Sequence, residues 1–196
     1  MKEKTKNKNK NTIAIINTDF QIIYESKTAT NIKEALEEAV ANNVNLTNVL
    51  LFNADLSRAN LANANLCWAN LEHCDLRNTN LTNANLFYAN LKNANLTNAN
   101  LFGANLTNSS FDDARCKNID LTNANLTNAH LKDVLLTHAN LINANLTQTF
   151  FKNTDLYCSD LSNTNYTDAH FLNTRLDNVF LKFIGRNESW ARDQLF

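Results

Sequence analysis

The sequence predicts an all-β solenoid, and three features of it carry that prediction. From Leu46 to Leu181 every fifth residue is large and apolar, with Cys116 the one smaller exception. Two residues before each of them stands a small or β-branched side chain, usually Ala, as at Ala54, Ala59 and Ala64. No insertion breaks the phase across 28 consecutive five-residue units, residues 44–183. A period of five suits neither a helix face, which recurs about every 3.6 residues, nor a straight strand face, which recurs about every 2. The pattern works only where the chain turns a corner in every unit. The large and the small residue then both point inward and the other three point out.

The elements follow in chain order. Residues 1–11 are rich in Lys and Asn and read as a disordered tail. The apolar run behind them, Ile13-Ala14-Ile15-Ile16, is too short for the core of a signal peptide. Residues 12–16 and 20–24 read as two short strands around Asn17-Thr18-Asp19, a hairpin. Next comes Asn31-x-x-Glu34, a capping-box-like start to a helix that places Ile32, Ala35, Leu36, Ala39 and Val40 on one face. Residues 12–43 are therefore expected to close the first coil, because a solenoid end exposes both core and backbone edge.

Within the repeats Asn replaces the usual turn residues, for the chain has only 2 Gly and no Pro. The position two after each large residue is mostly Asn, as at Asn48, Asn53 and Asn63. Asn tolerates the left-handed backbone of a tight turn better than any residue but Gly. The position just before the large residue is mostly Asn or Asp, whose short polar side chains bond neighbouring backbone groups.

The unit Ala-Asn-Leu-Thr-Asn and its variants resemble the pentapeptide-repeat family. That resemblance implies a right-handed quadrilateral β-helix with four units per turn, hence seven coils of 20 residues here. Two columns taken at steps of 20 agree with stacked coils. One reads Glu72, Lys92, Asp112, Lys132, Lys152, and the other is Asn at every step from Asn45 to Asn165. Residues 184–196, together with Phe180 and Phe183, form an aromatic-rich end that includes Trp190, Leu195 and Phe196. It reads as a C-terminal cap with a short helix over 188–195, or as the homodimer contact that some gyrase-directed members of the family imply.

Composition limits function. The net charge of −1 creates no field to recruit nucleic acid or an acidic membrane surface. No stretch approaches the roughly 20 apolar residues of a membrane span, and the expected location is the cytoplasm. Cys67, Cys74, Cys116 and Cys158 show no CxxC spacing and are expected as free thiols. His73, His130, His138 and His170 scatter over columns and coils; His130 and His170 share one with Phe150 between them, too far apart to hold one metal. No Gly-rich phosphate loop occurs. We expect no catalysis, cofactor or metal.

The candidate sites are departures from the polar surface. Cys67 and Trp68 lie one coil below Phe87 and Tyr88, and the four are expected to form an exposed apolar patch, unless the N-terminal elements or the tail cover it. A second candidate is Leu135 with Phe150, apolar where most units carry Asn or Asp. The family resemblance also implies DNA mimicry toward a type II topoisomerase such as gyrase, inhibiting it or protecting it from quinolones, for which Asp55 and Asp75 are the candidate acids. The 11 acidic against 9 basic residues of 44–183 argue against it. The preferred reading is a non-catalytic scaffold that binds a protein partner.

Overall fold

The structure is a computed structural model and describes residues 12–181. The chain opens with a hairpin of β1 (Ile13–Ile16) and β2 (Ile22–Ser26), paired antiparallel. Its second strand starts later than the alternation of residues 20–24 suggests. Asn17 Oδ1 accepts hydrogen bonds from the backbone N–H of Asp19 and Gln21, and Phe20 takes φ 60 in the turn instead of entering the strand. Helix α1 (Ile32–Ala41) follows, with Asn31 as N-cap accepting from Glu34 N–H at 3.0 Å. Glu34 reaches back to the N–H of Thr30 at 2.7 Å, one residue before the position of the usual capping box. Ala35, Leu36 and Ala39 are buried on the predicted face.

The repeats form a β-helix. Parallel bridges join residues one coil apart in four columns, exemplified by Asp55↔Asp75, Asn60↔Asn80, Asn65↔Asn85 and Asn70↔Asn90. From Leu51 onward the large residues below the last coil donate their N–H to the coil above, as Leu66 does to Asn85 O at 2.8 Å and Leu106 to Asn125 O at 2.7 Å. The large and small positions are buried together in one core that α1 and β1 share. Where the small position is polar, its group bonds a carbonyl: Thr79 Oγ1 to Leu56 O at 2.9 Å, Thr149 Oγ1 to Leu126 O at 2.8 Å, Ser159 Oγ to Leu136 O at 2.7 Å. The hydroxyls at these inward positions are thus satisfied within the core.

The corners bear out the roles assigned to Asn. Every fifth residue from Asn48 to Asn178 has positive φ, including Gly103 at φ 66. The Asn or Asp that precedes the large residue accepts the N–H two residues on, as Asp55 does from Ser57 at 2.9 Å and Asn105 from Thr107 at 3.2 Å. Asn side chains also bond from coil to coil, Asn65 to Asn45 at 2.8 Å and Asn105 to Asn85 at 3.0 Å. In the charged column Lys92 pairs with Asp112 at 3.6 Å, but Lys132 turns to Asp133 at the corner, 3.4 Å away.

One column breaks the corner rule three times running. At His130, Phe150 and His170 no side-chain bond to the local N–H replaces the one that Asn or Asp makes elsewhere, and there the backbone stays extended one residue further. The result is three parallel strands, β3 (His130–Lys132), β4 (Phe150–Lys152) and β5 (His170–Leu172), in register.

The hairpin is tied to the first coil through Leu50 N–H to Ile16 O at 2.9 Å and Thr18 N–H to Asn48 O at 2.8 Å. Helix α1 is tied to it by Glu37 Oε1, which accepts from Asn60 N–H at 2.7 Å, and by Lys33 Nζ on Ser57 O at 3.4 Å. No helix among the described residues is long and apolar enough to cross a membrane.

Candidate functional site

The four residues of the first candidate patch come together. Trp68 and Tyr88 occupy the same corner in adjacent coils and stack at 4.1 Å between ring centroids, 6° from parallel. Phe87 meets Tyr88 edge-on at 4.7 Å and Trp68 at 6.2 Å. Trp68 is 50% and Tyr88 42% exposed, so neither the hairpin nor α1 covers them; Cys67 and Phe87 are half-buried beside them. Partial burial pushes the Cys67 thiol up from its ordinary range, away from the reactive thiolate. On the next corner, one coil lower, Phe52 meets His73 edge-on at 5.6 Å, a contact that the spacing of these residues in the sequence does not suggest.

Both stacked rings sit on left-handed backbone, Trp68 at φ 60 and Tyr88 at φ 56, where most corners carry Asn. For a bulky side chain this conformation costs roughly 1–2 kcal/mol. The stack returns about 0.5–1.5 kcal/mol. The two aromatics are therefore not there for the stability of the corner.

The second candidate pair is not brought together. Leu135 lies in the column of Arg115 and Asp155, whereas Phe150 lies between His130 and His170 on a neighbouring face. Leu135 is 49% exposed, and Phe150 stacks on the two imidazoles at 5.1 and 4.8 Å. No group of His, Cys, Asp and Glu among the described residues could hold a metal ion.

Asp55 and Asp75 are bridge partners, as the column predicts. Asp75, however, is held by Arg77, whose Nε lies 2.8 Å from Oδ1, and this contact keeps its carboxyl below the ordinary range. Ser57 does the same for Asp55 through its hydroxyl and N–H. Farther along the column Arg175 lies 3.5 Å from Asp155 and 2.8 Å from Asp177. Most acids of this column are thus paired within the chain.

All four cysteines are free thiols. Burial pushes Cys74 up to about 11 and raises Cys116 further, which fits small inward side chains without reactivity. Phe180 is exposed at the last described coil, while Phe183, Trp190, Leu195 and Phe196 of the proposed cap or dimer contact lie outside the described residues, as does the tail 1–11.

A family model described as pentapeptide repeats matches in 8 copies, over residues 35–67, 68–101, 99–137 and 135–171. No curated protein matches. Among solved structures, the pentapeptide repeat protein Rfr23 from the cyanobacterium Cyanothece 51142 is 31% identical, with 47% of this chain and 63% of that chain covered and a TM-score of 0.46. The chain thus spans less than two thirds of that relative's length. HetL from Nostoc sp. PCC 7120, a pentapeptide repeat protein involved in heterocyst differentiation regulation, is 24% identical over 66% of this chain and 73% of its own, TM-score 0.28. QnrB1, a plasmid-mediated fluoroquinolone resistance protein, is 17% identical over 74% of this chain and 87% of its own, TM-score 0.34.

Proposed function

The chain belongs to the pentapeptide-repeat family, and on that premise we propose that it is a non-catalytic cytoplasmic scaffold that binds a protein partner through the corner patch of Trp68, Phe87 and Tyr88. The scaffold is a right-handed quadrilateral β-helix of seven coils, closed at its first coil by the hairpin and α1. The observation that carries the reading is the placement of two exposed, stacked aromatics on left-handed corners where Asn would fold at lower cost. Exposed aromatics on a rigid frame lose little side-chain entropy on binding and are enriched among the residues that dominate interfaces. The test replaces both by the residue the corner prefers, Trp68→Asn with Tyr88→Asn. The melting temperature is expected to hold or rise, because Asn suits both corners better, and partner capture to be lost; capture that persists at wild-type yield sinks the proposal.

A second reading, a DNA-mimicking binder of a type II topoisomerase, rests on the bridged Asp55 and Asp75. The guanidinium of Arg77 on Asp75 and of Arg175 on Asp155 opposes it, because a mimic needs its carboxylates unpaired. A gyrase supercoiling assay, with and without a quinolone, decides it. Inhibition or protection by micromolar wild-type protein, lost in Asp55→Asn with Asp75→Asn, would put this reading first.

A further inference from the structure

The first coil meets the N-terminal elements with part of its lower backbone edge left open. In the coils above, the chain is bonded across this column by pairs such as Leu66 N–H to Asn85 O at 2.8 Å and Asn85 N–H to Ala64 O at 2.9 Å. The matching bonds one coil lower, from Leu46 N–H to Asn65 O and from Asn65 N–H to Val44 O, are not made. The gap follows from the way α1 ends. Val44 N–H returns to Ala39 O and Asn43 N–H to Val40 O, both at 2.9 Å, with Asn43 at φ 55, and this Schellman closure holds the chain against the helix. Pairing with the coil above resumes only at Asn48, whose N–H reaches Cys67 O at 2.8 Å. Side chains of α1 stand in for two missing partners, Glu37 on Asn60 N–H and Lys33 on Ser57 O. Asn60 O, Ala62 O and both the N–H and the O of Asn65 have no hydrogen-bond partner among the described residues. They border a cavity of about 800 Å³ whose walls include Val40, Val44, Ala62 and Ala64.

We propose that this edge is a docking surface for strand addition, and that its occupant is an extended, uncharged segment of another polypeptide that carries the five-residue pattern of the repeats. The free groups are those that a repeat segment satisfies elsewhere in the chain. Asn60, Ala62 and Asn65 stand at the same places in their units as Arg115, Lys117 and Asp120. Residues 96–101 serve that second set through Leu96 N–H to Arg115 O at 2.7 Å, Asn98 N–H to Lys117 O at 2.9 Å, Leu101 N–H to Asp120 O at 2.7 Å and Asp120 N–H to Ala99 O at 3.0 Å. Three donors and one acceptor in that order are the outline of an extended backbone, and main-chain bonds supply the affinity of strand addition. The open edge turns at Asn63, φ 61, so the occupant needs an Asn or Gly at its own bend, as the chain has Asn98 at φ 60. No cation lines the cavity to hold a phosphate or a carboxylate, and its one acid, Glu37, is already engaged by Asn60 N–H. Uncharged side chains therefore suit its aliphatic walls, and nucleic acid does not.

The experiment is a fluorescence anisotropy titration of the full chain with the labelled octapeptide Ala-Asn-Leu-Thr-Asn-Ala-Asn-Leu, the sequence of residues 94–101. The other probes are the same peptide N-methylated at its first Leu and at the Asn of its bend, and a peptide of residues 1–11. The unmodified octapeptide is expected to bind saturably, and the N-methylated one about tenfold more weakly, since two donors are gone. Ala41→Trp, which fills the cavity from an exposed position at the end of α1, should abolish binding, with circular dichroism to check the fold. Trp68→Asn with Tyr88→Asn should leave binding unchanged. No binding of the octapeptide overturns the proposal, as does equal binding of the N-methylated peptide or binding that survives Ala41→Trp. Loss of binding on replacing Trp68 and Tyr88 would move the site to the corner patch and overturns it too. Tighter binding of the 1–11 peptide overturns the choice of occupant.

Discussion

Leu126→Ala probes the inward assignment at its most constrained point. Leu126 is fully buried, its N–H donates to Asn145 O at 2.8 Å, and its carbonyl accepts Thr149 Oγ1 at 2.8 Å. Its column neighbours Leu106 and Leu146 are fixed in the same way, by bonds of 2.7 and 2.6 Å to the coil above. Loss of the three isopropyl carbons beyond Cβ forfeits about 2.4 kcal/mol of transfer free energy at about 0.8 kcal/mol per carbon. A cavity term follows, because a ladder bonded on both sides cannot collapse into the space. We therefore expect the upper part of the range for such substitutions, about 3–5 kcal/mol. Urea denaturation followed by circular dichroism measures it, with the slope of the transition unchanged. Thr127→Ala in the next position serves as the comparison. It removes a surface hydroxyl that bonds Asn125 Oδ1 at 2.7 Å and Asn145 Nδ2 at 3.0 Å, a loss of about 0.5–1.5 kcal/mol. A Leu126→Ala cost under about 1 kcal/mol, or one below that of Thr127→Ala, would refute the reasoning.

Asn128 at φ 57 tests the corner chemistry: Asn128→Val should cost about 1–2 kcal/mol and Asn128→Gly only a few tenths, read as a difference in melting temperature. Gly103→Ala places a Cβ against Asn83 Oδ1 at φ +66 and should destabilise by about 1–2 kcal/mol, with partial relief in an Asn83→Ala background in a double-mutant cycle. Glu38 accepts hydrogen bonds from Ser26, Thr28 and Tyr24, which hold its carboxyl below the ordinary range. Its contribution is complete above the unfolded carboxylate range and falls away as pH drops through the lowered value. Melting temperature should therefore decline more steeply from about pH 5 downward in wild type than in Glu38→Gln. Equal slopes would remove Glu38 as the tie between α1 and the hairpin.

The repeats were legible because every unit states the same three facts: a large inward residue, a small one two before it, and Asn at the turn. With no insertion to absorb an error, phase and burial could be read directly, and Cys74 and Cys116 fell into place as inward side chains. The hairpin was less legible, since Phe20 continues the apolar alternation while Asn17 Oδ1 captures the N–H groups that a strand would have paired. The stack of Trp68 on Tyr88 followed from coil spacing alone, because like positions must lie one above another. The β3–β5 patch was half visible. The shared column of His130, Phe150 and His170 could be read from the sequence, but the continuation of the strand to Lys132 and Lys152 could not, since Arg115 and Leu135 also lack the Asn or Asp acceptor and keep single-bridge corners. Leu135 and Phe150 looked alike in sequence because both break the same rule, and they differ only in which face their column occupies.

The account turns on the corner aromatics, and the most direct measurement compares quantitative affinity capture by wild-type protein and by Trp68→Asn with Tyr88→Asn from the same host extract, alongside their thermal melts. The account predicts that the variant melts no lower than wild type and that the proteins enriched by wild type disappear with the variant. An identical set of captured proteins at equal yield would contradict it and leave the aromatics without a binding role.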